Sequence, residues 1–201
     1  VHVSRAAFDS WVHAYAWMEL IHSNREQVIA LARRESESAA FTDKDRRNLK
    51  RYAMGTASPP VGRAINTSPE TTYELRIFAS SLERDEVQAA LAMADASVEY
   101  TRSLSEADLE AGATDWSRFA TWVNERPKYA PLTREIARTN AGRKEIGAAN
   151  VNLVAVATGV VVTIAALMWG VTHGETWTKI AAVTVVGVAW ALIGFALRNQ
   201  G

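Results

Sequence analysis

Apolar positions recur at three- and four-residue steps through most of residues 1–145, the period of helices that turn one face inward. Phe8, Trp11, Val12, Tyr15 and Met18 make one such stripe. Ser23 with Glu26 three residues later has capping-box spacing, and predicts a helix that restarts or continues through Val28, Leu31 and Ala32. Thr42 and Asp45 predict the next start, with Leu49, Tyr52 and Ala53 inward and Gly55 as the stop. Residues 55–69 are loop by composition. Thr67-Ser68-Pro69-Glu70 reads as a helix opening whose apolar face is Tyr73, Ile77 and Phe78. A helix from about Leu82 to Ser103 is expected to turn Val87, Leu91, Ala94 and Val98 inward. Shorter helices follow over Ser105–Gly112 and Asp115–Glu125, the second carrying Trp116, Phe119, Trp122 and Val123 and broken by Arg126-Pro127. A last one starts near Pro131. Strand signals are weak, so the expectation for residues 1–145 is an all-α domain of about six helices.

Past residue 145 the pattern changes. Residues 146–174 contain no Asp, Glu, Lys or Arg, and neither do 180–197. A bilayer core needs roughly 20 apolar helical residues to cross. Spans at about 151–171 and 180–197 are therefore predicted, joined by Gly174-Glu175-Thr176-Trp177-Thr178-Lys179, as a transmembrane hairpin occupying 146–201. The near-neutral mean hydropathy averages this segment with a charged one.

Flanking charge orients such a hairpin. Arg126, Lys128, Arg134, Arg138, Arg143 and Lys144 precede it against Glu135 and Glu145, whereas the connecting loop has Lys179 alone and Arg198 follows the second run. Basic flanks stay on the side of insertion. Both ends of the hairpin are expected inside, at the mitochondrial inner membrane with a matrix-facing domain, or alternatively at a bacterial inner membrane with a cytoplasmic one. A chain that begins Val1-His2-Val3-Ser4 is expected to have lost an initiator Met or a targeting peptide.

Within the two runs, small residues fall at helical spacing. Ala155, Gly159, Val162 and Ala166 line one, and Thr184, Gly187, Ala191 and Gly194 the other. Lipid tails are as apolar as Leu, so spans associate by close packing that small residues permit. The main expectation is that these seams pack the spans on each other, and the sharper one is that at least one seam docks a helix of a partner subunit. Neither span holds an ionisable residue, which argues against a transporter or pump acting alone.

Composition restricts the chemistry. Residues 1–145 hold 20 basic and 21 acidic side chains, a balance that gives no steering toward nucleic acid. There is no cysteine, which excludes disulfides, thiolate metal sites and thiol nucleophiles. His13 and His22 are nine residues apart and so face opposite sides of a helix, His2 is near a loose end, and His173 lies at the membrane boundary. No spacing suits a metal, so solvated or hydrogen-bonded histidine is the expectation. No Gly-x-Ser-x-Gly or phosphate-cradling glycine loop occurs, and Glu35/Glu37 and Asp85/Glu86 read as wet surface. Neither an enzyme nor a cofactor is expected.

Two features remain for interaction. Lys44, Arg46, Arg47, Lys50 and Arg51 cluster, with Arg46/Lys50 and Arg47/Arg51 one helical turn apart. A solvated face is the main expectation, and anionic lipid contact through Arg46, Arg47, Lys50 and Arg51 the sharper one. Trp11, Trp17, Trp116 and Trp122 exceed what so small a domain needs inside, and aromatics are enriched at interface centres. The combined expectation is a non-catalytic accessory subunit of an energy-transducing membrane complex, a respiratory complex or ATP synthase, that meets its partners through a Trp-rich helical domain. A homo-oligomeric two-span channel or membrane effector, gated by that domain, is the alternative.

Overall fold

The computed structural model describes residues 1–34 and 36–142; the expected hairpin, with its small-residue seams, lies outside the described residues. Among the described residues no helix is long and apolar enough to cross a membrane. The elements in order are β1 (His2–Ser4), α1 (Trp11–Ser23), α2 (Arg25–Ala32), α3 (Asp43–Arg46), α4 (Leu49–Ala53), β2 (Ile65–Asn66), β3 (Thr72–Leu75), α5 (Arg84–Thr101), α6 (Glu106–Glu110) and α7 (Trp116–Asn124). A further helix, α8, covers 130–142. The domain is mostly helical, as its periodicity predicts.

It is not all-α. A three-stranded antiparallel sheet in the order β1-β3-β2 pairs Val3 with Tyr73 and Ile65 with Leu75. The helix expected after Pro69 is absent, and β3 stands there instead. Tyr73, Leu75 and Ile77 are buried while Thr72, Glu74 and Arg76 are half-buried, which is a two-residue alternation. Arg5 holds the turn before it: its guanidinium donates to the Thr67 carbonyl (2.5 Å) and the Pro69 carbonyl (3.2 Å) and lies over the Tyr73 ring. His2, expected near a loose end, sits in β1 with its ring 3.1 Å from the Thr72 hydroxyl.

Helix α1 is the centre of the domain. Ser10 caps it, accepting from the His13 amide at 3.1 Å. The single stripe read from Phe8 to Met18 understates its burial. Ala16, Trp17, Met18, Leu20 and Ile21 are wholly enclosed, whereas Phe8, Trp11, Val12 and Tyr15 are half-buried. A helix apolar around its circumference belongs inside. It packs on α4 and the small-residue face of α5, which includes Ala89, Ala96 and Ser97. Trp17 donates its indole N–H to the Ser97 hydroxyl at 2.9 Å and packs at a tilt against Phe8 and Tyr73. Trp116 is buried on α7 beside Phe119. Two of the four tryptophans assigned to an interface are thus core residues, and Trp11 and Trp122 are half-buried.

Three further expectations change. Ser23 does not cap α2; its hydroxyl donates back to Glu19 at 2.5 Å, and Asn24 occupies the cap position. Val87 and Leu91, read as inward, are 42% and 57% exposed, because α5 turns its alanines toward α1 so that the two backbones approach. The basic cluster does not share one helix. Arg47 and Asn48 interrupt it, and the Asn48 amide donates to the Lys44 carbonyl at 2.7 Å. Other readings hold: Thr42 caps α3, Gly55 ends α4 at φ +69°, and Pro127 breaks the chain after α7.

Candidate functional site

A polar concavity lies where α1 hands over to α2. Asn24 separates the two helices, and its side-chain amide is held by the Leu20 carbonyl (2.8 Å) and the Thr114 carbonyl (2.7 Å). It therefore gives the first turn of α2 no side-chain cap. A cleft of about 440 Å³ opens at this elbow, lined by His22 and Ser23 from α1, Arg25 and Glu26 from α2, and Phe41 and Arg46 opposite. A second hollow of about 590 Å³ shares Arg25, Glu26 and Phe41 with it and runs on past Ile29 to Ser36.

The far wall is the segment from Ser36 to Asp43, and it is pinned from behind. Ala40 donates to the Gly62 carbonyl at 2.9 Å, and Ala64 donates to the Ala40 carbonyl at 3.1 Å. Gly62 has φ +82°, and a β-carbon there would stand 2.8 Å from the Glu37 carbonyl oxygen. Only glycine meets both demands without strain.

Beneath the cleft sits a buried charge. Asp45 is 1% exposed. Its carboxylate lies 2.7 Å from Arg63 Nε and accepts from the Thr42 hydroxyl (2.5 Å) and the Tyr52 hydroxyl (3.1 Å). The Arg63 Nε–H is not aimed along that short approach and finds no aligned acceptor among the described residues, so the contact is chiefly Coulombic. Burial and the hydrogen bond to Asp45 both push the Tyr52 phenol above its usual range.

His22 separates this charge from the cleft. It is 6% exposed, packs edge-on against Phe41 with ring centroids 5.2 Å apart, and its ring nitrogens have no hydrogen-bond partner among the described residues. Burial lowers its pKa to about 4, although Asp45 and Glu19 pull the other way. The imidazole is neutral at pH 7, with one N–H to donate and one lone pair to accept. Neither neighbouring hydroxyl faces it as a nucleophile: Ser23 donates to Glu19 and Thr42 to Asp45. The arrangement suits recognition of a polar group rather than proton abstraction from a serine or threonine.

His13 has a different setting. Its Nε2 lies 2.9 Å from the Val98 carbonyl and its Nδ1 receives the Asp9 backbone N–H at 3.2 Å. A carbonyl only accepts and an amide N–H only donates, so the partners assign the Nε2–H tautomer. Burial holds its pKa below the usual histidine range, opposed by the Val98 bond.

The basic cluster is partly consumed within the domain. Arg46 donates to Glu19 (3.1 Å) and Ser23 (3.2 Å), tying α3 to α1 beside the cleft. Lys50 pairs with Glu106 at 2.7 Å and covers the Trp11 ring. Arg47 and Arg51 are exposed and form no ion pair among the described residues, so they are what remains of the lipid-contact expectation. Arg25, Phe41 and the uncapped elbow were missed from sequence. Asn24, a residue favoured at caps between two apolar periodic stretches, was the signal available for the elbow. Among the described residues no group of His, Asp and Glu is arranged to hold a metal ion. Comparison with protein-family models, curated proteins and solved structures finds no match to this chain.

Proposed function

We propose that the chain is a non-catalytic, membrane-anchored subunit whose helical domain holds partner proteins at the bilayer surface. The observation that carries this reading is the pair of uncharged apolar runs, 146–174 and 180–197, following a domain with its own closed core. Runs of this length are costly to leave in water and match the thickness of a bilayer core. The exposed Val87 and Leu91, one helical turn apart on α5, support partner contact, since contiguous apolar surface outside a folded core marks interaction sites. An energy-transducing assembly of the respiratory or ATP-synthase kind is the specific form of the proposal, resting on architecture alone.

Blue-native electrophoresis of mild-detergent membrane extracts tests it. The expected outcome is migration inside an assembly several times heavier than the protomer. Recovery of the full chain in the aqueous fraction without detergent removes the anchor, and migration as a lone protomer removes the subunit role.

A further inference from the structure

The elbow cleft has donors with no acceptor supplied by the fold. From the uncapped N-terminus of α2, the unpartnered buried His22 and the guanidinium of Arg25, we propose that it binds a phosphate monoester group, free or on a lipid headgroup.

Three observations converge on this chemistry. First, α2 spans eight residues and begins at Arg25 with no side chain capping its first turn, so its amide dipoles leave partial positive charge at that end. Anions bind there for that reason. Second, His22 is more than nine-tenths buried, lines the same cleft, and has neither ring nitrogen satisfied among the described residues. The fully enclosed polar atoms without a partner are Arg63 Nε and Thr67 Oγ1 among the described residues, so the His22 nitrogens open toward the cleft, where an occupant can replace water. Third, Arg25 lines both hollows and forms no ion pair among the described residues, while Arg46 reaches the cleft wall from α3. A guanidinium presents two parallel donors to a phosphate. The Ser23 and Thr42 hydroxyls at the rim add no donor, because Ser23 donates to Glu19 and Thr42 to Asp45.

Charge balance sets the kind of anion. Glu26 and Asp43 line the cleft too, so its formal charge with Arg25 and Arg46 is zero. A polyphosphate or nucleic acid would meet both carboxylates and gain little. A monoester can retain one O–H, which a carboxylate or the imidazole lone pair accepts, while its charged oxygens face α2 and Arg25. At about 440 Å³ the cleft falls within the size range of small-molecule sites, and its largely polar lining disfavours an apolar occupant. The site is defined by residues 22–46, and its chemistry does not depend on the membrane-subunit reading.

The test is histidine-selective NMR on the full chain in mild detergent, with the His22 ring resonance assigned from His22→Gln. Inorganic phosphate is titrated in one arm. In the other, the protein is placed in nanodiscs of phosphatidylcholine with or without phosphatidic acid, whose headgroup is a phosphate monoester. The expected result is saturable displacement of the His22 resonance and an upward shift of its titration midpoint, with His13 as an unmoved internal control. Arg25→Gln, on a surface side chain outside the core, should abolish most of the displacement. Response to phosphate means a soluble ligand suffices, and response to phosphatidic acid alone assigns the headgroup. Silence of His22 in both arms, or an unchanged response in Arg25→Gln, overturns the proposal.

Discussion

The two sides of α1 bury a histidine each and treat it oppositely. His13, facing α5, has both ring nitrogens satisfied by backbone and belongs to an aromatic group with Phe8, Trp17 and Tyr73. His22, facing α3 and the cleft, is also buried but has neither nitrogen bonded to a group among the described residues. On the first side neutral hydrogen bonds and ring packing hold the helices together. On the second, Arg46 ties α3 to Glu19 and Ser23 of α1, and a buried ion pair ties α3 to the loop before β2, with a polar opening above. A histidine with fixed partners is structural, whereas one with open valences beside a cleft is available to a ligand.

Removal of charge from the His22 side should have the largest effect. Asp45→Ala leaves Arg63 uncompensated and deprives Tyr52 and Thr42 of their acceptor. Breaking a buried pair at one end costs about 3–5 kcal/mol. Thermal unfolding of the full chain in mild detergent, followed by tryptophan fluorescence, should show a loss of that size. A loss below about 1 kcal/mol would place Asp45 in water, as surface pairs behave.

The next effect is pH-dependent. His22 is neutral in the fold until about pH 4, while in the unfolded chain it takes up a proton near its ordinary pKa of 6.5. The unfolded state therefore binds more protons between those values, and stability falls as pH drops through that window. The contribution is on the order of 3 kcal/mol between pH 7 and 4, at 1.36 kcal/mol per pKa unit. Asp45, Glu19 and Arg46 are the charged groups that face the ring. His22→Gln should flatten the acid side of the stability profile relative to the unsubstituted chain. Parallel profiles would show that the ring is hydrated in the fold.

Third comes His13. His13→Ala removes the acceptor of the Asp9 amide and the donor to the Val98 carbonyl, and opens space beside Phe8 and Trp17. Groups left buried and unsatisfied cost about 1–3 kcal/mol. The loss should be nearly constant from pH 7 to 9, where the wild-type ring stays neutral, and phosphate should not alter it. A phosphate-dependent stability at His13 and none at His22 would invert the comparison.

Local periodicity made the helices legible and long-range partners hid the rest. The stretches that became α1, α5, α6 and α7 carry their own caps or spacing, such as Ser105 with Asp108 and Asp115 with Ser117. The strand at Thr72–Leu75 was misread because Pro69 and Glu70 resemble a helix start. What decides it is Arg5, more than sixty residues away, gripping the Thr67 and Pro69 carbonyls. Val87 and Leu91 were assigned inward from helical spacing, yet alanines packing on α1 set the rotation of α5. The cleft was illegible for a similar reason. Its far wall is positioned by Gly62 meeting the Glu37 carbonyl, a contact that no local pattern announces.

The smallest effects belong to the surface pairs that close the His22 side. Arg46 reaches Glu19 and Ser23 across an exposed edge, and Lys50 reaches Glu106 while lying over Trp11. Exposed ion pairs contribute about 0.2–1 kcal/mol each, and salt screens them. Arg46→Gln and Lys50→Gln should each lower stability by no more than that, with the difference shrinking in high salt. The two separate in the phosphate titration. Arg46 lines the cleft and its loss should weaken the His22 response, whereas Lys50 stands outside it and its loss should leave the response intact. Equal weakening by both would assign the effect to general positive charge on this face, and the cleft would lose its claim to geometry.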